Sequence, residues 1–296
     1  MGLDNFDPYY DVARKEGNVR GLAAWPGWFL VRGDIRDRGL VRHLMADDRF
    51  DAVVHLAARA GVRPSIEEPE LYCDVNVVGT SVLLEAARLA GLRRFVFASS
   101  SSVYGQDSVA PFGIGSRADQ PISPYAATKR AGELLCSAHA SLHGMSIASL
   151  RYFTVYGPRQ RPDMAIMKFI ERIDQGRPIP VFGDGSARRD FTYVSDAVAG
   201  TLGAIDRSDT GHGHEVFNIG ESQTISLADL IGVVERAVGR KAILEPAPDQ
   251  PGDVPLTHAD LTESRSKLGY APSVGIEEGV RRQVEWYREE MNGVTS

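Results

Sequence analysis

The sequence predicts an α/β protein, a doubly wound parallel sheet followed by a smaller α+β lobe. Three observations predict it. Short, nearly continuous apolar runs alternate with helical periods through the first half of the chain, the pattern of parallel strands covered on both faces. A run of hydroxyl residues, Ser99–Ser102, directly follows one apolar run, at the strand end where open α/β sheets bind ligands. Past Gly157 prolines and glycines multiply and the apolar runs shorten, which marks a change of architecture.

The elements follow in order. Phe29–Val31 is a strand, and Arg36–Ala46 is the helix after it. Ala52–Ala57 is the next strand, ahead of a long helix over Leu71–Ala90. Phe95–Ala98 leads through the serines to a helix over Pro124–His143, and Ile147–Leu150 is a strand again. In the second half, helical periods cover Val194–Ile205, Ser226–Val238 and Ile276–Met291. Ser226 is a good N-cap, and Asp229 three positions on gives a weak capping box. The boundaries expected are 1–157 for the first domain and 158–296 for the lobe, with about 194–220 returning to the main sheet.

Composition narrows the function. Of 296 residues, 39 are acidic and 33 basic, a net charge of −6, which disfavours nucleic acid as the main partner because phosphate backbones are bound through surplus Lys and Arg. Cys73 and Cys136 form no C-x-x-C pair and read as reduced thiols of a cytoplasmic protein. No apolar run is long enough to span a membrane, and the start, MGLDNFDPYY, has no secretory pattern. The histidines show no ligand spacing, so no metal is expected. His139 and His143 read as solvated positions, and His55 as a packed strand-end residue.

The strongest chemical signal is Tyr125-Ala-Ala-Thr-Lys129. Residues i and i+4 share a helix face, and a positive charge beside a phenol favours phenolate, so the pair can transfer a proton. Chance alone gives roughly 0.2 such pairs in a chain of this composition, and a solvated helix face is the bland alternative. The upstream run Ala98-Ser99-Ser100-Ser101-Ser102-Val103-Tyr104-Gly105, by itself a polar turn, makes the combination far more specific.

Strand, serines, loop and Tyr-x-x-x-Lys resemble the Ser-Tyr-Lys constellation of the short-chain dehydrogenase/reductase superfamily. His55–Arg63, Asn76–Thr80, Ser123-Pro124-Tyr125, Arg151–Arg159 and Arg189–Val194 resemble its extended, nucleotide-sugar branch, in order and at similar spacing. That resemblance implies a Rossmann-like sheet and a catalytic set of Ser100, Tyr125 and Lys129. Dehydratases of the branch carry Asp-Glu where this chain has Ser101-Ser102, which favours an NAD-dependent epimerase. Thr154 followed by Arg161-Pro162-Asp163-Met164-Ala165 is similar to the UDP-glucuronate 4-epimerases. There the threonine and arginine hold the sugar carboxylate, a task that suits a guanidinium fork. Taken alone, Arg161 is a surface arginine in a Pro-rich loop.

The resemblance further assigns Ser100, Ser101, Thr154, Arg161, Phe182, Arg189 and Asp253 to a UDP-sugar substrate. NAD would be held by Asp4, Asn5, Asp34, Ile35, Leu56, Ala57, Ala58, Asn76, Ala98, Ser99, Tyr125, Lys129 and Phe153. A carboxylate at Asp4 accepts ribose hydroxyls and repels a 2′-phosphate, favouring NAD over NADP. Gln250 stands where many members have arginine. A homodimer through Leu71–Ala90 and Tyr125–His143 is a family expectation. The alternatives are a UDP-glucose 4-epimerase, another nucleotide-sugar epimerase or dehydratase, and a truncated non-catalytic nucleotide-sugar-binding protein.

The family also opens with a strand, a Gly-x-x-Gly-x-x-Gly turn and a helix, whose glycines let backbone approach a pyrophosphate. Neither that pattern nor G-x-G-x-x-G occurs here; Gly183-Asp184-Gly185 is followed by Arg188 at the third position. The sheet is therefore expected to lack its first strand and helix. A start site assigned too far downstream is the favoured expectation and a truncated, impaired enzyme the alternative, with NAD binding of the present chain expected to be weak or absent.

Overall fold

The structure, a computed structural model, describes residues 1–46, 49–106, 108–211, 213–248 and 254–293. The chain runs β1 (Gly2–Asp4), α1 (Val12–Arg20), β2 (Leu30–Arg32), α2 (Arg38–Met45), β3 (Ala52–His55), α3 (Val62–Glu67), α4 (Pro69–Cys73), α5 (Gly79–Leu89) and β4 (Arg94–Ser100). It continues α6 (Pro124–His143), β5 (Ser146–Tyr152), β6 (Thr154–Tyr156), α7 (Ala165–Asp174), β7 (Ile179–Phe182), β8 (Arg188–Tyr193) and α8 (Val194–Ser208). It closes with β9 (His214–Ile219), β10 (Thr224–Ser226), α9 (Leu227–Val238), β11 (Leu244–Ala247), α10 (Thr262–Leu268) and α11 (Ile276–Gly293). Two compact units emerge, each from three chain segments: 1–99, 121–149 and 205–216 in the first, and 100–120, 150–204 and 217–296 in the second.

In the first unit β1 pairs with β2 in parallel, Gly2 opposite Leu30. A separate four-stranded sheet has the order β3-β4-β5-β9, with β3 and β4 parallel and Ala52 opposite Arg94. The core packs Val41 and Met45 of α2, Leu83 and Leu84 of α5, Phe95 and Phe97 of β4, and Ile147 of β5, each such burial contributing about 1.5–3 kcal/mol. The α2 helix starts two residues later than its pattern suggests. Asp37 caps it, taking the Leu40 N–H at 3.0 Å, and Val41 and Met45, one turn apart, face the core.

The predicted helix over Leu71–Ala90 runs without a gap through α4, a π-turn at Asp74–Val78 and α5, which ends at Leu89. β3 ends at His55, so Leu56–Ala58 lie in the loop beyond its carboxyl end. By contrast α6 covers the predicted residues, because its ends are chemically marked. Ser123 caps the Ala126 N–H at 3.2 Å, Pro124 opens the first turn, and Gly144 closes the last at φ 63°.

The second unit holds a three-stranded sheet of order β10-β8-β6, β8 being parallel to β6 and antiparallel to β10, and a parallel β7-β11 pair. Its core combines Ile166, Phe169, Ile170 and Ile173 of α7 with Leu230 and Val234 of α9 and Val280, Val284 and Tyr287 of α11. Ser226 caps α9 through the Asp229 N–H at 3.0 Å. Among the helices outside the sequence expectations are α1, which buries no residue, and α7, although its buried Ile166, Phe169, Ile170 and Ile173 recur at helical spacing. Among the described residues no helix is long and apolar enough to cross a membrane, and no group of three or more His, Cys, Asp or Glu is placed to hold a metal ion.

Candidate active site

In the first unit, the site begins with how α6 lies on β4. The approach is close: a Cβ on Gly132 would stand 2.3 Å from Phe97 Cζ, so only glycine fits without repacking. One turn earlier, Lys129 is 4% exposed and its Nζ donates to the Ala98 carbonyl at 2.7 Å. The ammonium lies 5.3 Å from the Phe97 ring centroid and 5.9 Å from that of Tyr125. Burial pushes the Lys129 pKa down to about 8. One turn later, the fully buried Glu133 accepts Ser99 Oγ at 2.5 Å and Arg130 Nη1 at 2.9 Å. Two successive residues of β4, Ala98 and Ser99, are thus held by Lys129 and Glu133, i and i+4 on one helix. Sequence reading missed Glu133; the signal available was its spacing from Lys129.

The Tyr125 ring packs edge-on against Tyr72, with centroids 6.3 Å apart and planes at 86°. Tyr72 is fully buried and donates to the Ala60 carbonyl at 3.0 Å. Asn76, in the π-turn, accepts the Arg59 N–H at 2.8 Å and donates to the Arg59 carbonyl and to Thr128 Oγ1, each at 3.0 Å. Thr128 Oγ1 in turn donates to the Tyr125 carbonyl at 2.8 Å. The π-turn therefore aims one amide at both the loop after β3 and the turn of α6 that bears Tyr125, the kind of setting in which π-bulges recur.

His55 is 3% exposed. Thr80 Oγ1 donates its proton to the Asn76 carbonyl at 2.5 Å and so accepts from His55 Nε2 at 2.9 Å. Burial, and then the Lys129 charge, push the His55 pKa down to about 3, leaving it neutral. Ile35 is buried, and a Cβ on Gly79 would meet its Cδ1 at 2.5 Å.

At the carboxyl end of β1, Asp4 and Asn5 are exposed. Asp4 Oδ1 takes the Phe6 N–H at 2.7 Å, and Asn5 Nδ2 donates to Asp34 Oδ2 at 3.0 Å. Arg36 forks onto Asp34 through Nε at 2.9 Å and Nη2 at 2.7 Å and also pairs with Asp74. The Arg36 guanidinium is the main reason the Asp34 carboxyl stays far below the usual carboxylate range. Leu56 is 60% exposed beyond β3, and Ala57 and Ala58 are half-buried beside it.

In the second unit, Ser100 Oγ caps the short turn Ser101–Tyr104, accepting the Ser102 N–H at 3.1 Å and donating to Ser102 Oγ at 3.1 Å. Phe153 is buried among aromatic rings, with centroids 6.4 Å from Tyr104 and 6.5 Å from Phe112. Thr154 opens β6 opposite Phe191 of β8. Phe182 ends β7 opposite Ala247, and Arg189 of β8 donates Nη1 to the Arg188 carbonyl at 3.0 Å. The Arg161 guanidinium forks onto Asp163, Nε at 3.0 Å and Nη2 at 2.9 Å. Asp253 and Gln250 lie outside the described residues.

Two buried residues of this unit escaped sequence reading. Asp190 accepts the N–H groups of Glu221, Ser222 and Ala259 at 2.7, 3.0 and 3.0 Å. Asn218 accepts Tyr104 Oη at 2.6 Å and donates to the carbonyls of Phe112 and Asp260 at 2.6 and 2.9 Å. Both fasten the 257–260 segment, and Asp190 sits in the Arg-Asp-Phe motif without its side chain having been given a part.

A parallel α/β sheet, a hydroxyl run at a strand's carboxyl end and a buried lysine one turn from a tyrosine define a dehydrogenase-like class of α/β enzyme. Residues 7–220 match the NAD dependent epimerase/dehydratase family, and the chain belongs to it. It is 39% identical over 297 residues to a UDP-glucuronate 4-epimerase of Thermodesulfobacterium geofontis, covering 100% of this chain and 90% of that one. It is 42% identical over 302 residues to UDP-glucuronate 4-epimerase 5 of Arabidopsis thaliana, covering 97% of this chain and 69% of the relative. The structure superposes on the UDP-glucuronic acid 4-epimerase of Bacillus cereus, crystallised with UDP-glucuronic acid and NAD, with a TM-score of 0.91 and 35% identity, covering 98% of this chain and 90% of that one.

Proposed function

We propose that this chain is an NAD-dependent isomerase that interconverts UDP-glucuronate and UDP-galacturonate by inversion at C4. The observation that carries the proton chemistry is the buried Lys129 ammonium, 2.7 Å from the Ala98 carbonyl and one helical turn from Tyr125. A cation held there favours the phenolate of Tyr125, which accepts the proton of the sugar 4-hydroxyl. Ser100 orients that hydroxyl. NAD, when bound, supplies the hydride acceptor and donor at C4 and is regenerated in each cycle.

The exposed Asp4 and Asn5 at the end of β1, with Asp34 beside them, form a set of polar groups suited to NAD, because carboxylates accept hydrogen bonds from ribose hydroxyls and repel a 2′-phosphate. Ile35, Leu56, Ala57, Ala58, Asn76, Ala98, Ser99 and Phe153 complete the cofactor side of this reading. Arg161 and Thr154 hold the sugar carboxylate, with Ser101, Phe182, Arg189 and Asp253 on the remaining substrate. The Arg161 fork lies on Asp163 in the structure, so a two-point grip by the same edge on the sugar carboxylate requires that pair to open.

The carboxylate clamp has a chemical purpose. A hexuronate oxidised at C4 is a β-keto acid, which loses CO2 when the carboxylate bond aligns with the carbonyl π system. A guanidinium that holds the carboxylate out of that alignment preserves it for epimerisation. We assign NAD to a domain over 1–157 and substrate mainly to 158–296, with about 194–220 returning to the main sheet, and we take the protein to be a cytoplasmic homodimer. The test is conversion of UDP-glucuronate, with products separated by anion-exchange chromatography. Tyr125→Phe should abolish it, and substantial remaining turnover would overturn the assigned base.

A further inference from the structure

The loop between β6 and α7 carries Arg161, and a pair of side-chain amides, the half-buried Gln160 and the buried Gln283, anchors it. Arg159 adopts φ 66°, a left-handed conformation that is unfavourable for a non-glycine residue and persists only where neighbours enforce it. The next residue supplies such a restraint. Gln160 Nε2 reaches back to the Val155 carbonyl at 3.0 Å, and Gln160 Oε1 accepts Gln283 Nε2 of α11 at 2.9 Å. Gln283 is fully buried, and its Oε1 has no hydrogen-bond partner among the described residues. A buried acceptor left unpaired destabilises, and an apolar side chain of the same shape would hold the fold at least as well. What the amide provides is the N–H that fixes Gln160, beside a longer contact from the same nitrogen to Met167 Sδ at 3.7 Å.

We propose that Gln160 and Gln283 are positioning residues that set the preference for a uronate, by fixing the loop that presents Arg161. The inference rests on the proposed role of Arg161 toward the sugar carboxylate. Arg161 follows Gln160 directly, and its guanidinium is oriented by the fork to Asp163. A two-point contact between guanidinium and carboxylate tolerates little displacement, so a loop freed at Gln160 loses grip on a carboxylate. The same freedom leaves contacts to the nucleotide untouched.

The experiment is calorimetric titration of the purified full chain with UDP-glucuronate and, separately, with UDP. Gln160→Met and Gln283→Met are expected to weaken UDP-glucuronate about tenfold, the loss of one well-placed hydrogen bond, with UDP affinity unchanged. The double variant should be no worse than Gln160→Met alone, because that substitution already removes the contact with Gln283 along with the bond to the Val155 carbonyl. The thermal midpoint of Gln283→Met should not fall. An unchanged ratio of UDP-glucuronate to UDP affinity in Gln160→Met, while Arg161→Ala lowers that ratio, would overturn the inference and leave the clamp standing. An unchanged ratio in Arg161→Ala itself would overturn the carboxylate clamp and this inference with it. If Gln283→Met does not fold, Gln160→Met decides the matter, since its half-buried side chain lies in a loop.

Discussion

Lys129→Met is expected to make the protein more stable and inactive at once. The buried ammonium has its pKa pushed down from 10.5 to about 8, and at about 1.36 kcal/mol per unit the charge costs the folded state about 3 kcal/mol. Methionine has a similar length and carries no charge. Against this stands the lost hydrogen bond to the Ala98 carbonyl, about 1.5–3 kcal/mol for a charged donor. The net gain is therefore about 0–1.5 kcal/mol at neutral pH.

The gain depends on pH in a defined way. Below about 8, Lys129 is charged in both the folded and unfolded states, and the penalty is complete. Between about 8 and 10.5 the unfolded chain binds the proton that the folded protein has lost, so wild-type stability rises with pH. Above 10.5 the lysine is neutral in both states and the advantage of the variant is gone. Urea unfolding of both proteins from pH 6 to 10, followed by tryptophan fluorescence, measures the difference, and the epimerase assay measures the loss of activity. A variant less stable than wild type at pH 7, or a difference independent of pH, would refute the reasoning.

Two further outcomes follow from packing and charge. Gly132→Ala should cost roughly 1–3 kcal/mol by overpacking, because the new Cβ would stand 2.3 Å from Phe97 Cζ; an unchanged urea midpoint would show that α6 can retreat from β4. Glu221 has its pKa pushed up to about 7 by burial and by the charges of Asp196 and Asp190. Its carboxylate therefore destabilises the folded state increasingly from pH 4.5 to 7 and fully above that. Glu221→Gln should raise the thermal midpoint at pH 8 relative to wild type and lose that advantage at pH 4.5, and an equal difference at both would argue against an ionised Glu221.

Much of the proposed chemistry lies within local reach of the sequence. Tyr125 and Lys129 share a helix face because i and i+4 must, and Ser123, Pro124 and Gly144 mark the ends of that helix. The serine run follows an apolar strand directly, so its place at the strand's end was legible too. The alternation of strands and helices carried the fold class in the same way.

What sequence could not decide is which polar groups meet in the interior. Ser99 and Glu133 are 34 positions apart, and Gln160 and Gln283 are 123 apart. Asp190 gathers backbone donors from residues up to 69 positions away. The π-turn that aims Asn76 at α6 has no signature beyond an ordinary helical stretch. Strand and helix periods repeat within a few residues, so they can be read along the chain. A buried carboxylate or amide is tolerated only when chain closure brings it a partner, and that partner is chosen by the packed tertiary structure.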